Sequence, residues 1–271
     1  MKVREALSAA TARLSASDTP RLDAELLMAE ALGVEREDLL FWHLDAEAPQ
    51  NFQSLIERRV AGEPVAYITG RRAFWTIELE VGPGVLIPRP DSETLIEAAL
   101  AHFGEAGPAT ILDLGTGPGT LLLAALDQWP EAQGMGIDAS EAALVFAVRN
   151  AERLALSGRA TFQQGNWGEG IDQRFDLILC NPPYVGTGAD LPDDVAKFEP
   201  PAALFAGSDG LDDYRRLAPQ MARLLGPEGI ACVEIGAGQE AAVWALFSRE
   251  GLKVEARKDL GGHVRCLTLR H

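Results

Sequence analysis

The stretch Thr110-Ile111-Leu112-Asp113-Leu114-Gly115-Thr116-Gly117-Pro118-Gly119 reads as a short strand running into a glycine-rich turn, and Thr120 to Gln128 continues as a helix. Outward from it the pattern repeats. Strands are expected at Gly134 to Ile137, Ala160 to Gln164, Phe175 to Cys180 and Gly229 to Ile235, with helices at Ser140 to Leu156, Leu211 to Leu225 and Gly238 to Arg249. Strand alternating with helix is the signature of a doubly wound α/β sheet, which binds ligands at the carboxyl ends of its strands. Leu252 to Asp259 and His263 to Arg270, joined by Gly261-Gly262, read as a closing hairpin that puts an antiparallel strand in that sheet.

Upstream the periodicity is helical. Leu22, Leu26, Ala29 and Leu32 form one stripe, stopped by Gly33, and a second helix is expected from Pro49 to Ala61, before Gly62. From Ala73 the character changes. Trp75, Ile77, Leu79 and Val81 alternate, Gly82-Pro83-Gly84 turns the chain, and Val85-Leu86-Ile87 resumes an apolar run, which reads as a connecting hairpin. Asp91, Ser92 and Glu93 then open a helix that ends near His102, with its acids at the positive end of the helix dipole. The expected division is a helical domain over residues 1–75, a hairpin linker over 76–90 and the α/β domain over 91–271.

Composition narrows the class. The 271 residues are 47% hydrophobic and 24% charged, as in a folded globular protein. Forty acidic residues against twenty-four basic ones give a net charge of −16, which repels nucleic acid phosphates and anionic membranes on average. Cys180, Cys232 and Cys266 form no C-x-x-C pair, so neither a zinc site nor a disulfide framework is indicated, and a reducing compartment, the cytoplasm, is expected. Met1 to Ser17 carries Lys2, Arg4, Glu5 and Arg13, which argues against a secretory signal, and no run of about 18 apolar residues occurs.

The glycine loop spells G-x-G-x-G rather than the dinucleotide G-x-G-x-x-G, and Pro118 lacks an N–H that a pyrophosphate would use. An adenosyl ligand without phosphates fits it better. Asp138, about 20 residues on, closes the second strand, where its carboxylate can accept hydrogen bonds from ribose hydroxyls. A tight turn with Asp138 as a helix cap is the alternative, and the strand–helix alternation around both features favours the cofactor reading. Trp167 either flanks an adenine ring or closes the core at a strand end, and its position alone leaves both readings open.

The fourth strand ends in Asn181-Pro182-Pro183-Tyr184. Two prolines stiffen the backbone while leaving its carbonyls free to accept. The Asn181 oxygen and the Pro182 carbonyl can together accept from one –NH2 group, and Tyr184 offers a flat face to a planar group. Hydrogen bonds to both N–H groups would raise electron density on an amide nitrogen and fix its approach to a methyl donor, with no strong base required. Asn181, Pro182 and Tyr184 are therefore the candidate catalytic residues, with Pro183 beside them as a substrate contact.

Together with Gly62-Glu63-Pro64-Val65-Ala66-Tyr67-Ile68-Thr69-Gly70, Val85-Leu86-Ile87-Pro88-Arg89-Pro90-Asp91-Ser92-Glu93 and Gly207-Ser208-Asp209-Gly210-Leu211-Asp212, these motifs resemble the HemK/PrmC class of release-factor glutamine N5-methyltransferases over nearly the whole chain. The resemblance implies a Rossmann-like methyltransferase sheet, a helical N-terminal domain that contacts the release factor, and a hairpin between them. It implies S-adenosylmethionine as cofactor and S-adenosylhomocysteine as product. Gly115, Thr116, Gly117, Pro118, Gly119, Asp138, Trp167 and Asn181 would bind the cofactor, and Asn181 to Tyr184 would receive the glutamine of a Gly-Gly-Gln loop. Asp91-Ser92-Glu93 departs from the commoner Glu-Thr-Glu, and Pro118 stands where Ser or Thr is frequent. A monomer acting on a release factor, with no metal, membrane or direct nucleic acid partner, is expected; a ribosomal protein glutamine or an adenine N6 are the alternative targets. Arg89, Asp91, Glu93, Glu199 and Glu234 stay outside the expected site, as caps, surface pairs or strand-end acids.

Overall fold

The computed structural model describes all residues, Met1–His271. Nine strands occur: β1 (Arg71–Phe74), β2 (Ile77–Glu80), β3 (Thr110–Leu114), β4 (Gln133–Asp138), β5 (Ala160–Gln164), β6 (Phe175–Cys180), β7 (Leu225–Glu234), β8 (Lys253–Lys258) and β9 (Val264–Arg270). β1 and β2 pair with each other, and the other seven form one sheet in the order β5-β4-β3-β6-β7-β9-β8. β3 to β7 run parallel, while β9 is antiparallel to both β7 and β8. The apolar central strands β3 and β6 are buried along almost their whole length, as strands covered on both faces must be. Helices Glu93–Phe103, Thr120–Gln128 and Glu141–Arg153 pack side by side on one face, and Asp212–Leu224 with Glu240–Arg249 cover the other.

From β3 the chain winds outward to β4 and β5, then returns on the other side of β3 as β6. The order therefore reverses between β3 and β6, and a crevice opens at their carboxyl ends. Leu114 and Cys180, the last residues of the two strands, lie level in register. The glycine loop and Asn181 consequently leave the sheet side by side.

The expected linker hairpin is displaced. Instead of turning at Gly82-Pro83-Gly84, the hairpin turns at Trp75-Thr76 and pairs Arg71–Phe74 with Ile77–Glu80. Gly82 does turn the chain, but Val85 to Ile87 pair with no strand. The cause is chemical: Pro83, Pro88 and Pro90 bring no N–H to a ladder, and the Ile87 N–H is taken by the Glu199 carboxylate at 3.1 Å. The true first strand begins Arg71-Arg72, and its charges hid it. At the hairpin tip Trp75 takes φ +54°; its backbone N–H donates to Glu93 Oε1 at 2.9 Å and its indole to Gln128 Oε1 at 3.1 Å.

Contacts divide the chain into two compact units. Met1–Arg71 and Leu191–Phe198 form one, and Arg72–Asp190 with Glu199–His271 form the other. In the first, helices Val3–Arg13, Pro20–Leu32 and Phe52–Val60 enclose Val3, Leu7, Ala24, Leu27, Met28, Leu39 and Ile56. The buried apolar residues of Pro20–Leu32 are thus Ala24, Leu27, Met28 and Ala29, while Leu22 is exposed. Of the expected stripe, Ala29 is in the core and Leu32 packs against it; Leu26 to Ala29 is apolar all round the helix, so spacing alone did not single out Leu27 and Met28. Gly33 ends this helix at φ +68°, the left-handed cap that its side-chain-free backbone permits.

Candidate active site

The strand β3 carries one charged residue, Asp113, which is buried at the head of the glycine loop. Asp113 Oδ2 accepts from the Thr116 hydroxyl at 2.6 Å and from the Leu122 N–H at 3.1 Å, while Oδ1 has no partner. Burial pushes this carboxyl up to about 7, against the pull of those two donors. The loop itself is pinned to β4, because Gly115 and Thr116 both donate to the Ile137 carbonyl, at 2.8 and 2.9 Å. Asp138 then accepts from the Gly117 N–H at 2.8 Å through one oxygen and from the Ser140 N–H at 2.8 Å through the other. Burial raises this carboxyl too. The cap of helix Glu141–Arg153 is Ser140, whose hydroxyl accepts from Ala143, so Asp138 holds the loop and the helix approach without being the cap itself.

Trp167 has φ +54°, and its indole donates to Asp213 Oδ1 at 3.2 Å. Its ring lies against Gly115, where a Cβ would come within 3.1 Å of Cζ3. The Pro118 carbonyl accepts from Asn150 Nδ2 at 2.9 Å; Asn150 is fully buried and also bonds both backbone groups of Glu80, so it ties the β2 strand to the glycine loop.

Asn181 Nδ2 donates to Ser92 Oγ at 3.0 Å, and the Ser92 hydroxyl donates to Glu234 Oε2. The Tyr184 hydroxyl donates to the other oxygen of Glu234 at 3.3 Å, and the Tyr184 carbonyl accepts from Gln239 Nε2 at 2.9 Å. Burial raises the Tyr184 phenol well above its ordinary value, and the Glu234 charge raises it further. Gly210 packs so closely on the Tyr184 carbonyl that any Cβ would collide with it, which explains the glycine of the Gly207 to Asp212 stretch. Arg89 is paired with Glu199, a buried acid whose second oxygen receives the Ile87 N–H.

Gly115, Thr116, Gly117, Pro118, Asp138, Trp167, Asn181 and Pro183 line one cavity of about 580 Å³ at the carboxyl end of the sheet. Gly119, Pro182 and Tyr184 stand outside its lining. Asp113, Arg89 and Ser92 join the lining although sequence reasoning assigned none of them. A lone acid among the buried apolar residues Ile111, Leu112 and Leu114 was the signal for Asp113. Arg89 and Ser92 were found only by their partners Glu199 and Glu234, far along the chain.

These residues fit S-adenosylmethionine. A buried carboxyl oxygen of Asp113 without a protein partner is suited to an ammonium group, and Asp138 keeps lone pairs for ribose hydroxyls. No phosphate-binding charge is needed.

Residues 5–70 match the family described as PrmC N-terminal domain, and residues 107–253 match that described as methyltransferase domain. Curated relatives named release factor glutamine methyltransferase include that of Rhodospirillum rubrum, 44% identical over 95% of this chain and 81% of the relative, and that of Caulobacter vibrioides, 43% identical over 92% and 89%. A third, from Pseudomonas aeruginosa, is 43% identical over 93% of each chain. Among solved structures, a methyltransferase from Pyrococcus furiosus matches with TM-score 0.53 at 18% identity, covering 81% of this chain and 97% of that one. A 16S rRNA N2 G1207 methyltransferase from T. thermophilus, in complex with AdoMet and guanosine, matches with TM-score 0.54 at 22% identity, over 74% and 49%. At those identities the two structures speak for the shared fold.

Proposed function

The chain belongs to the release factor glutamine methyltransferases, and from that premise we propose how its own residues transfer a methyl group from S-adenosylmethionine to the glutamine of a release factor's Gly-Gly-Gln motif. The glycine loop and Asp138 would hold the ribose, Trp167 would flank the adenine, and Asp113 would answer the ammonium group. When bound, S-adenosylmethionine supplies a methyl carbon made electrophilic by its sulfonium. Asn181 Oδ1 and the Pro182 carbonyl accept from the target –NH2, and Tyr184 stacks on the amide plane. These contacts hold the nitrogen in line and counter the delocalisation that makes an amide a poor nucleophile. Transfer would form the C–N bond as the S–C bond breaks, and the nitrogen proton would then leave to solvent, because an alkylated, protonated amide is very acidic.

The observation that carries this reading is the register of Leu114 with Cys180, which opens the glycine loop and Asn181 onto one cavity. The helical domain, residues 1–75 as read from the sequence, recognises the folded partner; its short π-helix Leu39–His43 exposes Phe41 and Trp42. No helix is long and apolar enough to cross a membrane. The protein acts as a cytoplasmic monomer on a protein and not on nucleic acid, in keeping with the net charge of −16.

The test is methyl transfer from labelled S-adenosylmethionine to a purified release factor, with its Gly-Gly-Gln glutamine replaced in a parallel sample. Label that requires that glutamine is expected. No label while the cofactor still binds would overturn the reading, and label in a ribosomal protein or in adenine would identify the true target.

A further inference from the structure

An asparagine amide has two ends of nearly the same shape and opposite chemistry: Oδ1 only accepts and Nδ2 only donates. To receive an –NH2 group, Asn181 must present Oδ1. The side chain it leans on, Ser92, does not enforce that by itself, because a hydroxyl can accept from Nδ2 or donate to Oδ1 with equal ease. What removes the ambiguity is the next group. Ser92 is 2% exposed and donates its proton to Glu234, which is 1% exposed. An ionised carboxylate cannot donate, so the Ser92 oxygen is left as a pure acceptor and only Nδ2 of Asn181 satisfies it.

We propose that Glu234, acting through Ser92, is a positioning residue that fixes the polarity of the Asn181 amide and so determines that the site receives an –NH2 group. This rests on the role given to Asn181 above. Protonated Glu234 would donate to Ser92, free the serine hydrogen for Oδ1, and turn the amide the wrong way round. Burial pushes Glu234 up to about 7; hydrogen bonds from Ser92 and Tyr184 oppose that, Asp91 adds to it and Arg265 opposes it again. Tyr214, Cys180 and Cys266 also face Glu234, and burial raises all three well above their ordinary values, so they stay neutral while Glu234 titrates. Asp113, pushed up to about 7, and Asp138 and Asp213, both raised by burial, are carboxyls lining the cavity that are also able to produce an acid limb, and the variants separate them from Glu234.

The experiment measures single-turnover methyl transfer across pH 5.5 to 9 for the wild type, Glu234→Gln, Ser92→Ala and Ser92→Thr, with cofactor affinity as the check on folding. Transfer should fall below about pH 7 in the wild type. Ser92→Ala should lower the plateau by about 10- to 100-fold, the worth of a charge-assisted hydrogen bond, and remove the acid limb, as should Glu234→Gln. Ser92→Thr, which restores the hydroxyl, should recover most of the rate and the limb. An acid limb that persists in both Ser92→Ala and Glu234→Gln assigns it elsewhere and overturns the proposal. If Glu234→Gln also loses cofactor affinity, Ser92→Ala decides. A second readout needs no substrate: in protein labelled with 15N-asparagine, the Asn181 side-chain resonances should follow a titration near pH 7 that Ser92→Ala abolishes. An Asn181 amide blind to that titration would overturn the relay even if release factors prove not to be the target, whereas a relay intact beside an unlabelled release factor would fault only the assigned function.

Discussion

Gly115 and Gly117 occupy the same loop and share left-handed backbone, at φ +74° and +57°, yet a methyl group meets different surroundings at each. At Gly115 it would press on the Trp167 ring, and at Gly117 it would meet nothing within 4 Å. Gly117→Ala should therefore displace no protein side chain and cost about 1–2 kcal/mol of stability through backbone strain. Gly115→Ala should add to that strain a loss of cofactor affinity of about tenfold or more, the cost expected when a stacked ring is displaced, read by titration calorimetry. Unchanged cofactor affinity in Gly115→Ala would show that Trp167 is not part of the adenine contact. Asn181→Ala should lower methyl transfer by at least about 100-fold, since the nitrogen loses an acceptor that fixes its approach. The loop and Asn181 were legible in the sequence because each acts through its own backbone or its own side chain. Ser92 and Glu199 were not, because each works through a partner: Glu234 lies 142 residues beyond Ser92, and Glu199 lies 110 beyond Arg89.

Strands and helices of the sheet were readable wherever alternation or an apolar run had one dominant cause, as in β3, β6 and Thr120–Gln128. Reading failed where a polar partner replaced a backbone one. Val85 to Ile87 has strand composition, yet the Ile87 N–H belongs to Glu199, and the strand Arg71–Phe74 carries two arginines that disguise it. The π-helix Leu39–His43 lies outside the segments read from the sequence; it buries Leu39, while Phe41 and Trp42 are 76% and 79% exposed. Large aromatic side chains left in water on a short irregular element are suited to anchoring a partner. Phe41→Ser together with Trp42→Ser should raise KM for the intact release factor by about tenfold or more while leaving methylation of a short Gly-Gly-Gln peptide almost untouched. A parallel loss on both substrates would place the defect in the methyltransferase unit and refute the recognition role.

At the scale of the whole molecule, the notable charges are the two carboxyls sealed in the sheet unit. Asp113 and Glu234 are both pushed up to about 7 by burial, from ordinary values of 3.8 and 4.5. Between pH of about 4 and 7 the folded chain thus holds two protons that the unfolded chain releases. A state that binds more protons loses ground as pH rises, so this pair should lower the stability of the cofactor-free protein through that window. Glu25 works in the opposite sense: burial pushes it up, but hydrogen bonds from Arg21 and Arg36 outweigh that and bring it below its ordinary value. Its contribution is present above the ordinary value of 4.5 and is lost only as pH falls below it. Repulsion within a chain of net charge −16 adds to the decline on the alkaline side. The melting temperature should accordingly be highest near pH 5 and fall towards pH 8. Asp113→Asn keeps an oxygen for the Thr116 hydroxyl and the Leu122 N–H while removing the charge, so its melting temperature should fall less over the same interval. An unchanged slope in that variant would mean that Asp113 is ionised throughout and that the carboxyl, although enclosed by protein, is solvated well enough to behave as an ordinary acid.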